Sequence, residues 1–423
     1  MRIGLQTWGS DGDIQPFAAL AGELSAVGHK VTLVVTSVYN RDYTALSEAL
    51  KFKLWHVGSF DSRTEVVERI WCGVARERSP LKQLHLILST LFDPVCEEIY
   101  EASKDLCGSN DIVIGHYLVY PLGIAAERAG CPYVTVSLIT NLIPSRHAPP
   151  PGLPNLGEFL NFVWWELAGS FMNRLLKPAV NRMRIRERLP PVKSILGELA
   201  ASRMLNLIAT SRCLCPEHPD WEDHHYVCGF FNIPEQAEQW EMPSGLKQFL
   251  VSGPPPVYMT FGSMLSFDPS VQETTRLMVD AARLAGCRAI VQSRWEEIRD
   301  IPEYRDIYRI TRVPHRYIFP HCVAVVHHGA AGTAQASSIY GCPSVVVEHT
   351  GDQVLWGIAL NRAGIAPRPL HRRTVNAEHL AAVIRGVLDS PQMVEKAKEI
   401  GKTMRREDGL KRAVELIEKR MQV

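Results

Sequence analysis

No apolar run in this 423-residue chain is long enough to span a bilayer, so a membrane-crossing helix is excluded. The charged-then-apolar opening of a secretory leader is missing too. MRIGLQTWGS runs directly into a first strand, and a cytoplasmic protein is expected. Cysteines at Cys-x-x-Cys or zinc-like spacing are lacking. The ten that are present are scattered, with Cys213 and Cys215 the one close pair, which suits reduced thiols and not a disulfide framework. An excess of either charge is also missing: 46 basic residues meet 45 acidic ones, so no nucleic-acid partner is implied. Neither an internal repeat nor a low-complexity tract occurs. A chain of this length exceeds one ordinary hydrophobic core, and two domains are expected.

What is present is a rhythm. Short apolar runs alternate with longer amphipathic segments throughout, the pattern of a parallel sheet covered by helices in an α/β protein. RIGLQT, KVTLVVT, DIVIGH and YVTVSL read as strands in the first half, and PVYMTFG, RAIVQS, YRITR, VAVVHH and PSVVVE in the second. After the first strand, Phe17, Leu20, Ala21 and Leu24 recur at helical spacing up to Gly28. Between the halves, GFFNIPEQAEQWEMPSGLKQFLVSGPPP is rich in proline and acid, and Gly253-Pro254-Pro255-Pro256 continues neither helix nor sheet. The expected division is residues 1–230 as an N-terminal domain, 231–255 as a linker and 256–405 as a C-terminal domain, with 406–423 following. Each domain then holds a doubly wound sheet, and such sheets bind ligands beyond their C-terminal strand ends.

Four stretches at those strand ends carry chemistry. In VVHHGAAGT, residues 325–333, a strand leads into small residues and a helix. Backbone N–H groups and a helix N-terminus then converge where a diphosphate fits, with His328 and Thr333 as donors. The competing reading is a tight turn with core-packed histidines. TFGSM, residues 260–264, offers Ser263 at a second strand end. EHTGDQ, residues 348–353, offers Asp352 and Gln353, suited to sugar hydroxyls or to a simple helix cap. Gly9-Ser10-Asp11-Gly12-Asp13 would repel phosphate, but Asp13 at the helix start suits a general base, or only an N-cap. Apart from these, residues 159–188 join an aromatic helical stretch to a basic run. That composition fits an anionic membrane surface or a greasy acceptor pocket, and equally a core-facing helix followed by a solvated basic one.

The ordered set GSDGDIQPFAAL, VYMTFGSM, VPHRYIFPHCVAVVHHGAAGT, PSVVVEHTGDQVLWG and REDGLKRAVELIEK resembles the inverting nucleotide-sugar glycosyltransferases of family 1 with the GT-B fold. It looks most like their bacterial sterol and antibiotic (macrolide, glycopeptide) branch. The resemblance implies two Rossmann-like domains facing a cleft, with a C-terminal helix, here Gly409 to Met421, crossing back to the N-terminal domain. It also implies roles. His328, Gly329, Gly332 and Thr333 would hold the donor diphosphate with Ser263, and Arg312 and Val313 would cover the nucleobase. Asp352 and Gln353 would bind the sugar, Asp13 would be the base, and His116 would be a second catalytic group. Trp8, Tyr117 and Asn141 of the loop SLITNLIPSRH would line the acceptor's approach. Three departures from the pattern stand out: Ala330 where a glycine is usual, Asp11 where arginine is common, and Ala336 in place of a ribose-binding glutamate. Asp11 would raise the proton affinity of Asp13, and ribose recognition is then either looser or supplied by Gln335.

The resemblance therefore implies transfer of a hexose, UDP-glucose being the expected donor, to a hydroxyl of a lipophilic acceptor such as a sterol, triterpenoid or polyketide. No Asp-x-Asp sequence of the metal-holding kind is read, so the expectation is no metal and no cofactor beyond the nucleotide sugar. Peripheral contact with the inner membrane face through 159–188 goes with a lipophilic acceptor. Two other readings stay open: a TDP-sugar rhamnosyltransferase acting on a hydroxy-lipid, and a non-catalytic auxiliary protein of glycosyltransferase type.

Overall fold

A computed structural model describes residues 1–58, 70, 73–74, 77, 80–140, 142–150, 153–234, 240–262 and 271–422; Pro80, Leu81, Gly351 and Asp352 are described by their backbone alone. The chain forms two compact units. One comprises Met1–Ser62, Ile87–Glu238 and Glu407–Val423, the other Arg63–Leu86 and Gln239–Arg406.

The first unit is built on a seven-stranded parallel sheet. Its strands are β1 (Arg2–Gly9), β2 (Lys30–Ser37), β3 (Lys53–His56), β4 (Ile112–His116), β5 (Tyr133–Ser137), β6 (Asn206–Ile208) and β7 (His225–Val227), in the order β3-β2-β1-β4-β5-β6-β7. The central strand β1 is buried from Ile3 to Gly9, as a strand covered on both faces must be. The helix Asp11–Ala26 buries Phe17, Leu20, Ala21 and Leu24 completely and stops at Gly28, whose φ of +94° breaks it. The helix Gly409–Met421 returns to this unit, setting Leu410, Ala413, Val414, Leu416 and Ile417 into the same core. Its Glu418 meets His29 Nε2 at 3.1 Å.

The second unit carries six parallel strands: β8 (Val257–Thr260), β9 (Ala289–Gln292), β10 (Ile307–Ile310), β11 (Ala324–His327), β12 (Ser344–Glu348) and β13 (Leu370–His371). Their order is β10-β9-β8-β11-β12-β13. In each sheet the chain winds outward one way from its first strand and then crosses to the other side. That places the topological switch points between β1 and β4, and between β8 and β11.

Two segments differ from expectation. The proline-rich stretch between the halves is not all tether, because the helix Ser244–Val251 buries Leu246 against Tyr258 and Ile290. The aromatic and basic stretch is one 29-residue helix, Glu158–Arg186, whose first turns bury Asn161 and Trp165 but leave Phe159, Leu160, Phe162 and Leu167 exposed. None of the nine described cysteines is in a disulfide.

Candidate active site

At the first switch point, β1 ends in Gly9 at φ +136° and the chain turns at once into the helix Asp11–Ala26. A Cβ on Gly9 would lie 2.3 Å from Asp13 Oδ2, so the strand end must be glycine for the carboxylate to fold back over it. That oxygen accepts from the Ser10 backbone N–H at 2.8 Å and from the Ser10 hydroxyl at 2.9 Å. Asp13 is thus an N-terminal cap as well as a candidate base, and the two readings coincide in one residue.

The other oxygen, Asp13 Oδ1, lies 3.7 Å from His116 Nε2 at the end of β4. His116 is wholly buried, and burial pushes its pKa down to about 3, so the ring is neutral. Its Nδ1 accepts from the Leu118 backbone N–H at 3.3 Å, which assigns the ring proton to Nε2, on the side of Asp13. No hydrogen-bond partner satisfies that Nε2. The neutral imidazole thus aims its N–H toward the carboxylate without hydrogen-bonding it.

Asp11 has partners of its own. It is ion-paired with Arg41, and Tyr43 donates to its Oδ1 at 2.6 Å, so its charge is balanced. Both partners come from the loop after β2, some thirty residues away, and no local motif marks them. Burial first, and then the Asp11 charge, push the Tyr43 hydroxyl well above its ordinary range, keeping it a donor. Asp11-Gly12-Asp13 does spell Asp-x-Asp, against the expectation of none, but its carboxylates have separate partners. Among the described residues no group of three metal-ligating side chains occurs.

Of the expected acceptor contacts, Trp8 is only 5% exposed, its indole edge-on to Phe92 at 5.1 Å, with Nε1 buried and unpartnered. It is enclosed by the fold. Tyr117 is half-buried, its ring 4.4 Å from His116. Asn141 lies outside the described residues. A cavity of about 460 Å³ in this unit is lined by Phe162, Trp165 and Glu166 of the aromatic stretch together with Arg146, Leu196 and Asp220. Its walls come from four separate segments.

At the second switch point, β11 delivers two buried histidines. His327 Nδ1 accepts from the Gly329 N–H at 3.1 Å and so braces the turn, a role no motif assigned. Burial, helped by nearby His315, lowers the His327 pKa to about 3. Burial, then His349 and His327, holds His328 far below its ordinary value, so it too is neutral. Its Nδ1 has no hydrogen-bond partner.

Gly329 carries the left-handed angle, φ +91°, while Ala330 sits at φ −64°, ψ 144°. The backbone at Ala330 is therefore one that a residue with a Cβ adopts freely. Ala330 caps the helix Ala331–Ile339 without a side-chain hydrogen bond, and a Cβ on Gly332 would meet nothing within 4 Å. An uncapped helix N-terminus with open space before it attracts an anion. Thr333 stands buried at the third position.

The remaining donor residues are mixed. Arg312 is exposed after β10, whereas Val313 is core, packed near Tyr258 and Ile318. Gln335, the suggested ribose contact, is 1% exposed and closed off from solvent. Gln353 caps the helix Gly351–Arg362, its Oε1 accepting from His349 N at 2.8 Å and Thr350 N at 3.3 Å. Only its Nε2 is left to meet a sugar. Ser263 and the Asp352 side chain lie outside the described residues.

Two parallel-sheet, Rossmann-like units in one chain are the architecture of the GT-B class. Residues 277–414 match the family described as erythromycin biosynthesis protein CIII-like, C-terminal domain. The chain is 27% identical over 424 residues to the sterol 3-beta-glucosyltransferase UGT80A2 of Arabidopsis thaliana, covering 98% of this chain and 64% of that protein. It is 28% identical over 424 residues to the O-mycaminosyltylonolide 6-deoxyallosyltransferase of Streptomyces fradiae, covering 99% and 97%. The crystal structure of the glycosyltransferase of kitacinnamycin superposes with a TM-score of 0.73 at 18% identity, covering 99% and 98%. The fold is GT-B, and the chain is similar in sequence to sterol and antibiotic glycosyltransferases.

Proposed function

We propose that the protein transfers a hexose from a nucleotide sugar, UDP-glucose, to a hydroxyl of a lipophilic acceptor with inversion at the anomeric carbon. One observation carries this reading: the same chain pairs Asp13, faced by a neutral His116, with an uncapped helix N-terminus beside a neutral His328. Asp13 takes the acceptor's hydroxyl proton as its oxygen bonds to the anomeric carbon. The bond from that carbon to the diphosphate breaks, and the electron pair leaves with the nucleoside diphosphate. The N–H groups at Ala331–Thr333 and the dipole of their helix meet the departing charge, and His328 donates to it. A single displacement inverts the configuration. In this reading no metal takes part, and the acceptor is a sterol, triterpenoid or polyketide alcohol.

The test is nucleoside diphosphate release with a chelator present, across UDP- and TDP-sugars and a panel of lipophilic alcohols. Release that requires both donor and acceptor, with a product of inverted anomeric configuration by NMR, is expected with UDP-glucose. A preference for TDP-rhamnose would move the assignment to a rhamnosyltransferase. Tight nucleotide binding with no release from any pair would overturn catalysis in favour of an auxiliary protein.

A further inference from the structure

We propose that the outward face of the helix Glu158–Arg186, with Leu153 and Leu156 ahead of it, docks on an anionic lipid surface. Phe159, Val163 and Leu167 recur every fourth residue and so share one stripe of the helix. Phe159 is 76% exposed, Leu167 57% and Leu156 53%. Six of the chain's exposed large apolar side chains fall between residues 153 and 167: Leu153, Leu156, Phe159, Leu160, Phe162 and Leu167.

Further along, the face changes character. From Leu167 to Arg186 there is no acidic residue, against five basic ones. The fold uses three of these itself, Lys177 donating to the Lys193 carbonyl at 3.1 Å. Arg184 is buried in a two-pronged pair with Glu127 at 2.7 and 2.9 Å, and Arg186 pairs with Glu97 and Glu187. Arg174, which continues the apolar stripe, and Arg182 remain exposed. Acids occur only at the helix start, where Glu158 lies 3.6 Å from His147 and Glu166 is exposed.

Apolar side chains followed by unneutralised cations suit a bilayer interface, where the first enter the acyl boundary and the second meet anionic headgroups. A protein interface of this size would be depleted in charge at its centre. No helix among the described residues is long and apolar enough to cross a membrane, so this one lies in the interface plane. The inference rests on this surface alone and is independent of the transfer reaction.

The full chain is floated with vesicles of phosphatidylcholine, with and without phosphatidylglycerol. It is expected to float with the anionic vesicles and to be released by high salt. Phe159→Ser with Leu167→Ser should lower vesicle partition on the order of tenfold or more, and Arg174→Glu with Arg182→Glu should abolish the preference for phosphatidylglycerol. All four positions are exposed or half-buried, and an unchanged melting curve and nucleotide affinity would show that the fold is kept. No flotation, or equal flotation of all variants, would overturn the proposal. So would concentration-dependent self-association lost in the apolar variant, which would give the face to a second copy of the chain.

Discussion

His328 rests its imidazole on Gly262: a Cβ built on that glycine would stand 2.7 Å from the ring's Cε1. Gly262 also holds φ at +53°, a conformation that side chains rarely adopt. The glycine of the TFG stretch is therefore the seat of the histidine from the neighbouring strand. Gly262→Ala should displace the ring and weaken UDP binding, with a local strain cost of about 1–3 kcal/mol. Titration calorimetry checks this, and an unchanged affinity would detach His328 from the donor site.

Asp13→Asn keeps an acceptor oxygen for Ser10 but removes the base. Turnover should fall by roughly 10²–10⁴ while nucleotide binding, assigned to the other unit, stays the same. Steady-state kinetics beside calorimetry separate the two effects. Loss of binding in step with turnover would assign Asp13 a structural role alone.

Stability should decline in acid. Burial depresses His116 and His327 to about 3 from an ordinary 6.5, so between those pH values the unfolded chain binds the extra protons. Their contribution is fully present above about pH 6.5 and is lost as pH falls toward 3, at about 1.4 kcal/mol per pH unit for each histidine. Urea unfolding across this range should show a shallower slope for His116→Gln and for His327→Gln. A slope identical to that of the unsubstituted chain would mean the histidine titrates normally in the fold.

The C-terminal helix depends on a backbone crossing. A Cβ on Gly409 would lie 2.7 Å from the carbonyl carbon of Gly229 and 2.8 Å from its oxygen, atoms that cannot swing aside. Gly409→Ala should cost about 1–3 kcal/mol and make the helix Gly409–Met421 an early target of limited proteolysis. Unaltered cleavage and an unaltered melting temperature would refute that seating.

Much of this architecture was legible along the chain. Nine strands announced themselves as mostly apolar runs bounded by turn residues, and the helix Asp11–Ala26 because its apolar spacing is intact. The strands β3, β6, β7 and β13 did not, being two to four residues long and, at the edges, partly exposed, too short for a period to show. Asp13 and His328 were legible because small residues at a strand end are a local signal.

What tertiary structure alone decided is how those residues are partnered. Asp11 is balanced by Arg41 and Tyr43 through a loop that the sheet carries back to it. His116 presents Nε2 to Asp13 only because β4 lies beside β1, and Leu118 sets its tautomer. The outward face of Glu158–Arg186 could not be assigned from composition, since an apolar stripe reads the same toward a core or toward solvent. Local spacing determines elements and strand-end motifs. Which side chains share a charge, a proton or a surface is set by contacts between segments distant in the chain, and these exist only once the sheets have formed.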